Sequence, residues 1–153
     1  MYSKQTGATM VELIVSIVVI SITVSGVLMV IANTAGNSAG AMVTAQARAI
    51  ASAYMDEILA KALTDPSGTD TGGAEAGETR ATFDDVNDYN GVSDTTGAVD
   101  QQGNTVSGLE GYNVEVVVAD STVNSDPAQK ITVTVSHDGI TSLSLSLISY
   151  RLL

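Results

Sequence analysis

Residues 36–40, GNSAG, match the G-x-S-x-G nucleophile elbow of serine hydrolases. That elbow needs a strand before it, a helix after it, and a histidine and an acid brought to the serine. Both flanks of this stretch have helical sequence patterns. The single histidine of the chain, His137, precedes Asp138-Gly139 and is predicted to be a turn residue. We therefore expect no hydrolase and, more broadly, no enzyme.

A second candidate is the stretch DDVNDYNG over residues 84–91. Asp84, Asp85, Asn87 and Asp88 offer the clustered carboxylate and amide oxygens that hard cations such as Ca²⁺ prefer. The stretch does not match the D-x-[DN]-x-[DN]-G pattern at any starting residue. When the pattern starts at Asp85, Tyr89 falls on a position that should carry a ligand. We expect a solvated acidic turn here, with a metal site as the alternative, and we predict no cofactor.

The third candidate is Glu12, the one charged residue in the apolar stretch that covers residues 7–32. A carboxylate near a membrane helix costs a few kcal/mol unless it is partnered or lies at the interface. Peptide cleavage between Gly7 and Ala8 would create a free amine one helical turn before Glu12. That amine would provide the missing positive charge.

The segment that carries Glu12 has the length and composition of a membrane helix. Residues 13–32 are uncharged, and a helix of ~20 residues spans about 30 Å. A cleaved secretory signal would be shorter and would end at small residues, and a plain signal-anchor helix leaves Glu12 unexplained. Lys4 and the amino terminus favour a cytoplasmic N-terminus, with the rest of the chain outside.

The helical pattern continues beyond the apolar segment. Residues 33–40 form a weak helix because of their Gly and Asn content, and we expect the helix to bend, fray or melt there. Gly36 and Gly40 also form a small-xxx-small face that would let a neighbouring helix approach closely, although simple flexibility explains them equally well.

An amphipathic helix is predicted to follow, so that one nearly continuous helix covers residues 8–63. Glu57 and Lys61 on this helix have the spacing of a helical ion pair. The apolar stripe consists of Val43, Ala47, Ile50, Tyr54 and Ile58, widened by Met55, Leu59 and Ala62.

Residues 64–153 are predicted to form a small globular head. Residues 64–111 read as an exposed loop with a short strand or extended piece at residues 78–83. Three antiparallel strands follow within residues 112–150, and the helical stripe covers their apolar face. Ile131, Val133 and Val135 share that face, and the third strand adds Leu143, Leu145 and Leu147. The fold class is therefore α+β.

The composition limits the partners of this head. The chain has 153 residues and a net charge of −11, and 16 of its 17 acidic residues lie between positions 56 and 138. An acidic head repels nucleic acid and anionic lipid headgroups. The chain has no cysteine, so outside the cytoplasm it must be stable without disulfides.

The amino-terminal pattern resembles the prepilin signal of type IV pilins and type II secretion pseudopilins. The matching residues are Lys4 in a short leader, Gly7 before the cut, Ala8 after it, and Glu12 at the fifth position that follows. The resemblance implies that a prepilin peptidase cuts after Gly7 and methylates Ala8, and that Glu12 meets the amine of a neighbouring subunit. It also implies a pilin-like fold. Phe is usual where Ala8 stands.

The resemblance divides the chain into four parts. Residues 1–7 would be the leader, residues 8–32 the transmembrane and assembly half of the helix, residues 33–63 its amphipathic half, and residues 64–153 the head.

Two internal stretches suggest a narrower resemblance. MDEILAK at residues 55–61 and ETRATFDDVNDYNG at residues 78–91 are similar to the D-type minor pilins of the mannose-sensitive haemagglutinin (MSHA) pilus. Such a subunit would help to initiate, cap or assemble a type IV pilus, and would contribute to surface attachment. Its partners would be other pilin subunits, the prepilin peptidase and the inner-membrane assembly platform.

The resemblance also implies a location and leaves two alternatives open. The subunit would cross the inner membrane once before it joins an extracellular pilus. A minor pseudopilin of a type II secretion system would share every feature up to residue 63. A signal-anchored periplasmic binding domain is the third possibility.

Overall fold

A computed structural model describes residues 7, 9–66, 68 and 72–153, without the side chains of residues 37, 38 and 140–142. By internal contacts the chain divides into two units, Met1–Met42 and Val43–Leu153. The helix α1 spans Met10–Leu59 and contributes to both units. Its helical structure continues through residues 33–40, so this stretch does not melt.

The helix ends at Leu59, four residues before the predicted end at position 63. The chain leaves the helix there because Ala62 pairs with the segment around Asp85 in an isolated parallel bridge. The Ala62 N–H donates to the Asp84 carbonyl oxygen at 3.2 Å, and the Val86 N–H donates to the Ala62 carbonyl oxygen at 3.0 Å. Tertiary pairing therefore ends the helix before the sequence pattern does.

The predicted stripe of α1 faces the core of the second unit. Its buried members are Ala47, Ile50, Tyr54, Met55 and Ile58, while Val43 and Leu59 are half-buried against them. Ala51, which the prediction omitted, is also fully buried. Ala62 is exposed, because the helix has already ended at that position.

The sheet is antiparallel and has four strands in the order β1-β2-β3-β4. The strands are β1 (Ser93–Asp94), β2 (Tyr112–Val123), β3 (Asp126–His137) and β4 (Ile140–Leu152). Three of them are the predicted strands, and β4 extends two residues beyond the predicted limit at position 150. The short β1 was not predicted, because two residues are too few to show an alternating pattern.

Two tight hairpins determine the register. Asn124 and Ser125 join β2 to β3 with φ values of 53° and 77°, as a type I′ turn requires at both central positions. Asp138 and Gly139 form the predicted turn between β3 and β4. This register places Ile131, Val133 and Val135 on the buried face, all with no exposed surface.

The segment between α1 and β2 is more ordered than the predicted loop. Residues 79–83 form a hydrogen-bonded turn, not a strand, and the turn delivers Phe83 to the core. A 3-10 helix, Asn87–Tyr89, follows, and Ala98 is buried. Gly97 has a φ of 118°, and a Cβ there would lie 2.9 Å from the Glu110 Cα. Only glycine fits at position 97.

Candidate functional site

The first candidate site is the amino-terminal end of α1. Gly7 is exposed, whereas Lys4 and Ala8 lie outside the described residues, so the predicted cleavage and methylation site stays a prediction. Thr9 caps the helix, because its hydroxyl oxygen accepts the Glu12 N–H at 3.3 Å. Thr9 and Glu12 have the T-x-x-E spacing of a capping box, so the sequence alone contains a signal for this cap.

Glu12 lies exposed in the first turn of α1. A carboxylate at this position interacts favourably with the unpaired N–H groups and the dipole at the start of a helix. This local effect gives Glu12 a structural role in addition to its predicted pairing with an amine. The described residues place no basic side chain in ionic contact with Glu12.

The apolar side chains that follow are exposed along the whole first part of α1. Large hydrophobic residues from Met10 to Ile31 retain 50–87% of their accessible surface. The helix is long and apolar enough to cross a membrane. No part of its most apolar stretch is buried within the chain, which distinguishes it from the core helix of a soluble protein.

The hydroxyl groups of this part of α1 are bonded within the helix itself. Each donates to the carbonyl oxygen four residues earlier at 2.7–2.9 Å. These residues are Ser16, Ser21, Thr23, Ser25 and Thr34. Because the donors are satisfied internally, the polar side chains can enter lipid or a helix bundle at a reduced desolvation cost.

Gly36 and Gly40 lie one helical turn apart on α1. A Cβ added at either position would meet no atom within 4 Å, so within this chain neither glycine is required by a close contact. The packing role predicted for them concerns another helix and stays a prediction. The surrounding GNSAG stretch lies entirely within α1, without the strand that a nucleophile elbow needs before its serine.

The second candidate site is a charged network in the core of the head. Arg80 and Glu57 form a two-pronged ion pair, with Nε–Oε1 and Nη2–Oε2 distances of 3.1 and 2.9 Å. The side chains of both residues are only 7% exposed. Arg80 Nη1 also donates to Asp94 Oδ2 at 3.2 Å. Glu57 thus pairs with Arg80 and not with Lys61, which donates to the Phe83 carbonyl oxygen.

Two tyrosines complete this network. The Tyr54 hydroxyl donates to Asp94 at 2.7 Å, and the Tyr89 hydroxyl donates to Glu57 at 2.8 Å. The guanidinium carbon of Arg80 lies 4.0 Å from the centre of the Tyr54 ring. Burial, with a smaller contribution from the bond to Asp94, raises the pKa of Tyr54 to about 12. Burial and the bond to Glu57 also raise the pKa of Tyr89.

The network is structural in its geometry. Arg80 joins α1, through Glu57, to the turn at residues 79–83 and to β1, through Asp94. A polar groove of about 300 Å³ lies beside it, lined in part by Lys61, Gln101 and Gln102.

The acidic stretch at residues 84–91 is not the solvated turn that the sequence suggested. Asp85 and Asp88 are 1% and 2% exposed. Asp85 Oδ1 accepts the backbone N–H groups of Asn87 and Asp88, and Asp88 Oδ2 accepts those of Asp84 and Asp85. These two aspartates therefore hold the start of the 3-10 helix.

The four predicted ligands do not form one site. The carboxylates of Asp84 and Asp85 cluster with that of Asp65, whereas the carboxylate of Asp88 clusters with those of Glu75 and Glu78. Asn87 Oδ1 accepts a hydrogen bond from Gln129.

The group around Asp88 has unusual electrostatics. A hydrogen bond between the side chains of Glu75 and Glu78, followed by burial and the charge of Asp88, raises the pKa of Glu75 to about 7. Carboxylates this close disfavour full ionisation of the group.

His137, predicted to be a turn residue, is the last residue of β3 and directly precedes the Asp138-Gly139 turn. Its Nδ1 accepts the Gly139 N–H at 3.0 Å, and its ring packs edge-on against Tyr112. These contacts hold the ring beside the turn.

Comparison with known proteins adds no relative. No family model matches the chain, and neither a curated protein nor a solved structure matches it significantly.

Proposed function

We propose that this chain is a minor subunit of a type IV pilus, most similar to the D-type minor pilins of the MSHA pilus. In this proposal the subunit resides in the inner membrane before assembly, as a single-pass protein with its head outside the cytoplasm. It then joins other pilin subunits to initiate, cap or assemble the filament. Its role is physical, and its partners are the prepilin peptidase, the assembly platform and neighbouring pilins.

One observation carries the proposal. The first part of α1 exposes a continuous apolar surface from Met10 to Ile31, and its first turn carries a single carboxylate, Glu12, just after Gly7. An ordinary membrane anchor needs no charged side chain at this position, because Thr9 already caps the helix. A helix that must leave the bilayer and enter a bundle of other subunits' helices does need one, because a paired charge can align the subunits.

The apolar surface accounts for both states of the subunit. In the bilayer, lipid covers the side chains that the chain itself leaves exposed. In the filament, neighbouring helices would cover the same surface, so transfer from lipid to bundle exchanges one apolar environment for another. Pairing Glu12 with the new amine of Ala8 on a neighbouring subunit would favour the bundle.

The head is suited to remain folded during this transfer. Its core lies within the second unit and includes the last part of α1, from Ala47 to Ile58, together with the sheet. The residues that must change environment and the residues that hold the head together are therefore different. This separation supports an assembly subunit that moves without unfolding.

The proposal is tested first by the mass of the mature amino terminus in the native host. We expect a start at Ala8 that carries one added methyl group. A Gly7→Leu variant should remain uncut, while Gly26→Ala, which changes a glycine in open space on the same helix, should be processed normally. A chain that keeps Met1, or efficient cutting of Gly7→Leu, contradicts the prepilin assignment.

Assembly is tested with Glu12→Gln, which removes the charge and keeps the size of the side chain. We expect this variant to be processed and to keep a folded head, but to enter sheared pili at a reduced level. Glu115→Gln, on the exposed face of β2, is the matched control and should assemble like wild type. Normal incorporation of Glu12→Gln would refute the pairing, and a defect in protein secretion with intact pili would indicate the pseudopilin alternative.

A further inference from the structure

Three carboxylates converge next to the 3-10 helix of the head. Glu75, Glu78 and Asp88 each place one oxygen atom within 4.8 Å of the other two. Glu75 and Glu78 come from the connection that follows α1, whereas Asp88 lies within the 3-10 helix itself. The group therefore brings together two segments that are separated along the chain.

Asp88 adds an observation that a mere acidic cluster would not provide. The residue is 98% buried, as its exposed fraction is 2%. Its Oδ2 accepts the N–H groups of Asp84 and Asp85 at 2.9 and 3.0 Å. Its Oδ1 is also buried, and no N–H or hydroxyl group in the part of the chain that the structure describes donates to it. Buried polar atoms without a partner are rare in folded proteins and call for a ligand.

We propose that Glu75, Glu78 and Asp88 bind one Ca²⁺ ion, with Asp88 Oδ1 as the buried ligand. Oxygens that share a Ca²⁺ ion at 2.3–2.6 Å lie no more than about 5 Å from one another, as these do. Calcium accepts an irregular set of carboxylates completed by carbonyl groups or water. Magnesium demands near-ideal octahedral geometry and usually keeps its waters, so it suits this set less well.

The other carboxylate group of the head does not meet the same requirement. Asp65, Asp84 and Asp85 are also close together, but Asp84 is exposed. Asp85 is like Asp88 in its burial and in accepting two backbone N–H groups through one oxygen, so the difference between the two groups lies in the exposed Asp84. The inference is therefore confined to the group around Asp88.

A bound ion would fasten residues 72–78 to the 3-10 helix. It would neutralise three carboxylates that otherwise repel one another, and it would stabilise the part of the head that has no regular secondary structure. This inference goes beyond the proposed function and does not depend on it, because a cation site in the head is compatible with any role of the membrane helix.

The test uses the full-length chain in detergent, stripped of metal with a chelator and then titrated with CaCl₂ or MgCl₂. We expect one Ca²⁺ ion per chain, a dissociation constant on the order of 10⁻⁵–10⁻³ M, a higher melting temperature of the head and slower proteolysis within residues 66–80. Mg²⁺ should bind at least tenfold more weakly.

The variants Glu75→Gln and Glu78→Gln keep side-chain size and should each weaken Ca²⁺ binding at least tenfold. They lie outside the core, so they remain informative even if Asp88→Asn fails to fold. Glu115→Gln removes an acidic charge elsewhere on the head and should bind like wild type. Absence of saturable Ca²⁺ binding, or equal binding by the Glu75 and Glu78 variants, would overturn the proposal. Equal affinity for Mg²⁺ would overturn the choice of calcium.

Discussion

The helix α1 carries two glutamates whose surroundings differ completely. Glu57 is 8% exposed and accepts hydrogen bonds from Arg80 and from the Tyr89 hydroxyl. Glu12 is exposed, and among the described contacts its carboxylate has no ionic partner. A buried carboxylate needs a partner within the same fold, whereas an exposed carboxylate is solvated and remains available to pair with another molecule.

The apolar residues show the same contrast. In the second unit the apolar stripe of α1 is buried by the sheet and by the segment between α1 and β2. In the first unit the apolar side chains are exposed in every direction around the helix. One part of the helix thus obtains its stability from the chain, and the other requires lipid or neighbouring subunits. Substitutions in the two parts should therefore have separable consequences.

The largest expected effect on the head is that of Arg80→Ala. The substitution leaves the Glu57 charge buried without its partner, and breaking a buried ion pair in this way costs about 3–5 kcal/mol. The measurement is chemical unfolding of the full chain in detergent, followed by tyrosine fluorescence. Arg48→Ala is the control, because Arg48 is exposed on the same helix and its loss should cost less than about 0.5 kcal/mol.

The double variant Arg80→Met with Glu57→Leu sharpens this test. Replacing both partners removes the buried charge as well as the bond, so the double variant should be more stable than Arg80→Ala. If Arg80→Ala unfolds like wild type, the pair is not a determinant of the head's stability.

A smaller effect is expected from deleting the same apolar group in the two units. Ile131→Ala removes a side chain with no exposed surface from β3 and should lower the free energy of unfolding of the head by about 2–5 kcal/mol. Ile20→Ala removes the same atoms from a side chain that is 60% exposed, and it should leave unfolding of the head unchanged. Equal destabilisation by both variants would show that the two units unfold together.

The sequence predicts much of this fold because its patterns are local. Alternation in β3 correctly predicts the buried face formed by Ile131, Val133 and Val135, and the Asp138-Gly139 dipeptide correctly predicts the turn. The stripe on α1 predicts its core face for the same reason. The early end of α1 could not be predicted, because it depends on pairing between Ala62 and a segment more than twenty positions away.

The contacts within the head were the least predictable part. Glu57 has a local candidate partner in Lys61, and only the folded chain brings Arg80 to it across 23 positions. Burial of Asp85 and Asp88 likewise depends on backbone N–H groups whose direction the sequence does not reveal. In contrast, the Thr9 cap was readable from the T-x-x-E spacing alone.

The smallest of these effects should appear at alkaline pH, and it concerns the head only. Burial raises the pKa of Tyr54 to about 12, whereas an unfolded tyrosine has a pKa of about 10. Between these values the unfolded state loses a proton that the folded state keeps, so stability is complete below pH 10 and falls as pH rises toward 12. The pKa of Tyr89 is also raised by burial, so Tyr89 should contribute in the same direction.

The variant Tyr54→Phe should lose less stability than wild type between pH 10 and 12. Comparison with its unfolding at pH 7 separates the effect of titration from the loss of the hydrogen bond to Asp94. If Tyr54→Phe loses stability with pH as steeply as wild type, the buried network of the head does not keep this tyrosine neutral. The contrast between the buried side chains of the head and the exposed side chains of the first part of α1 would then be weaker.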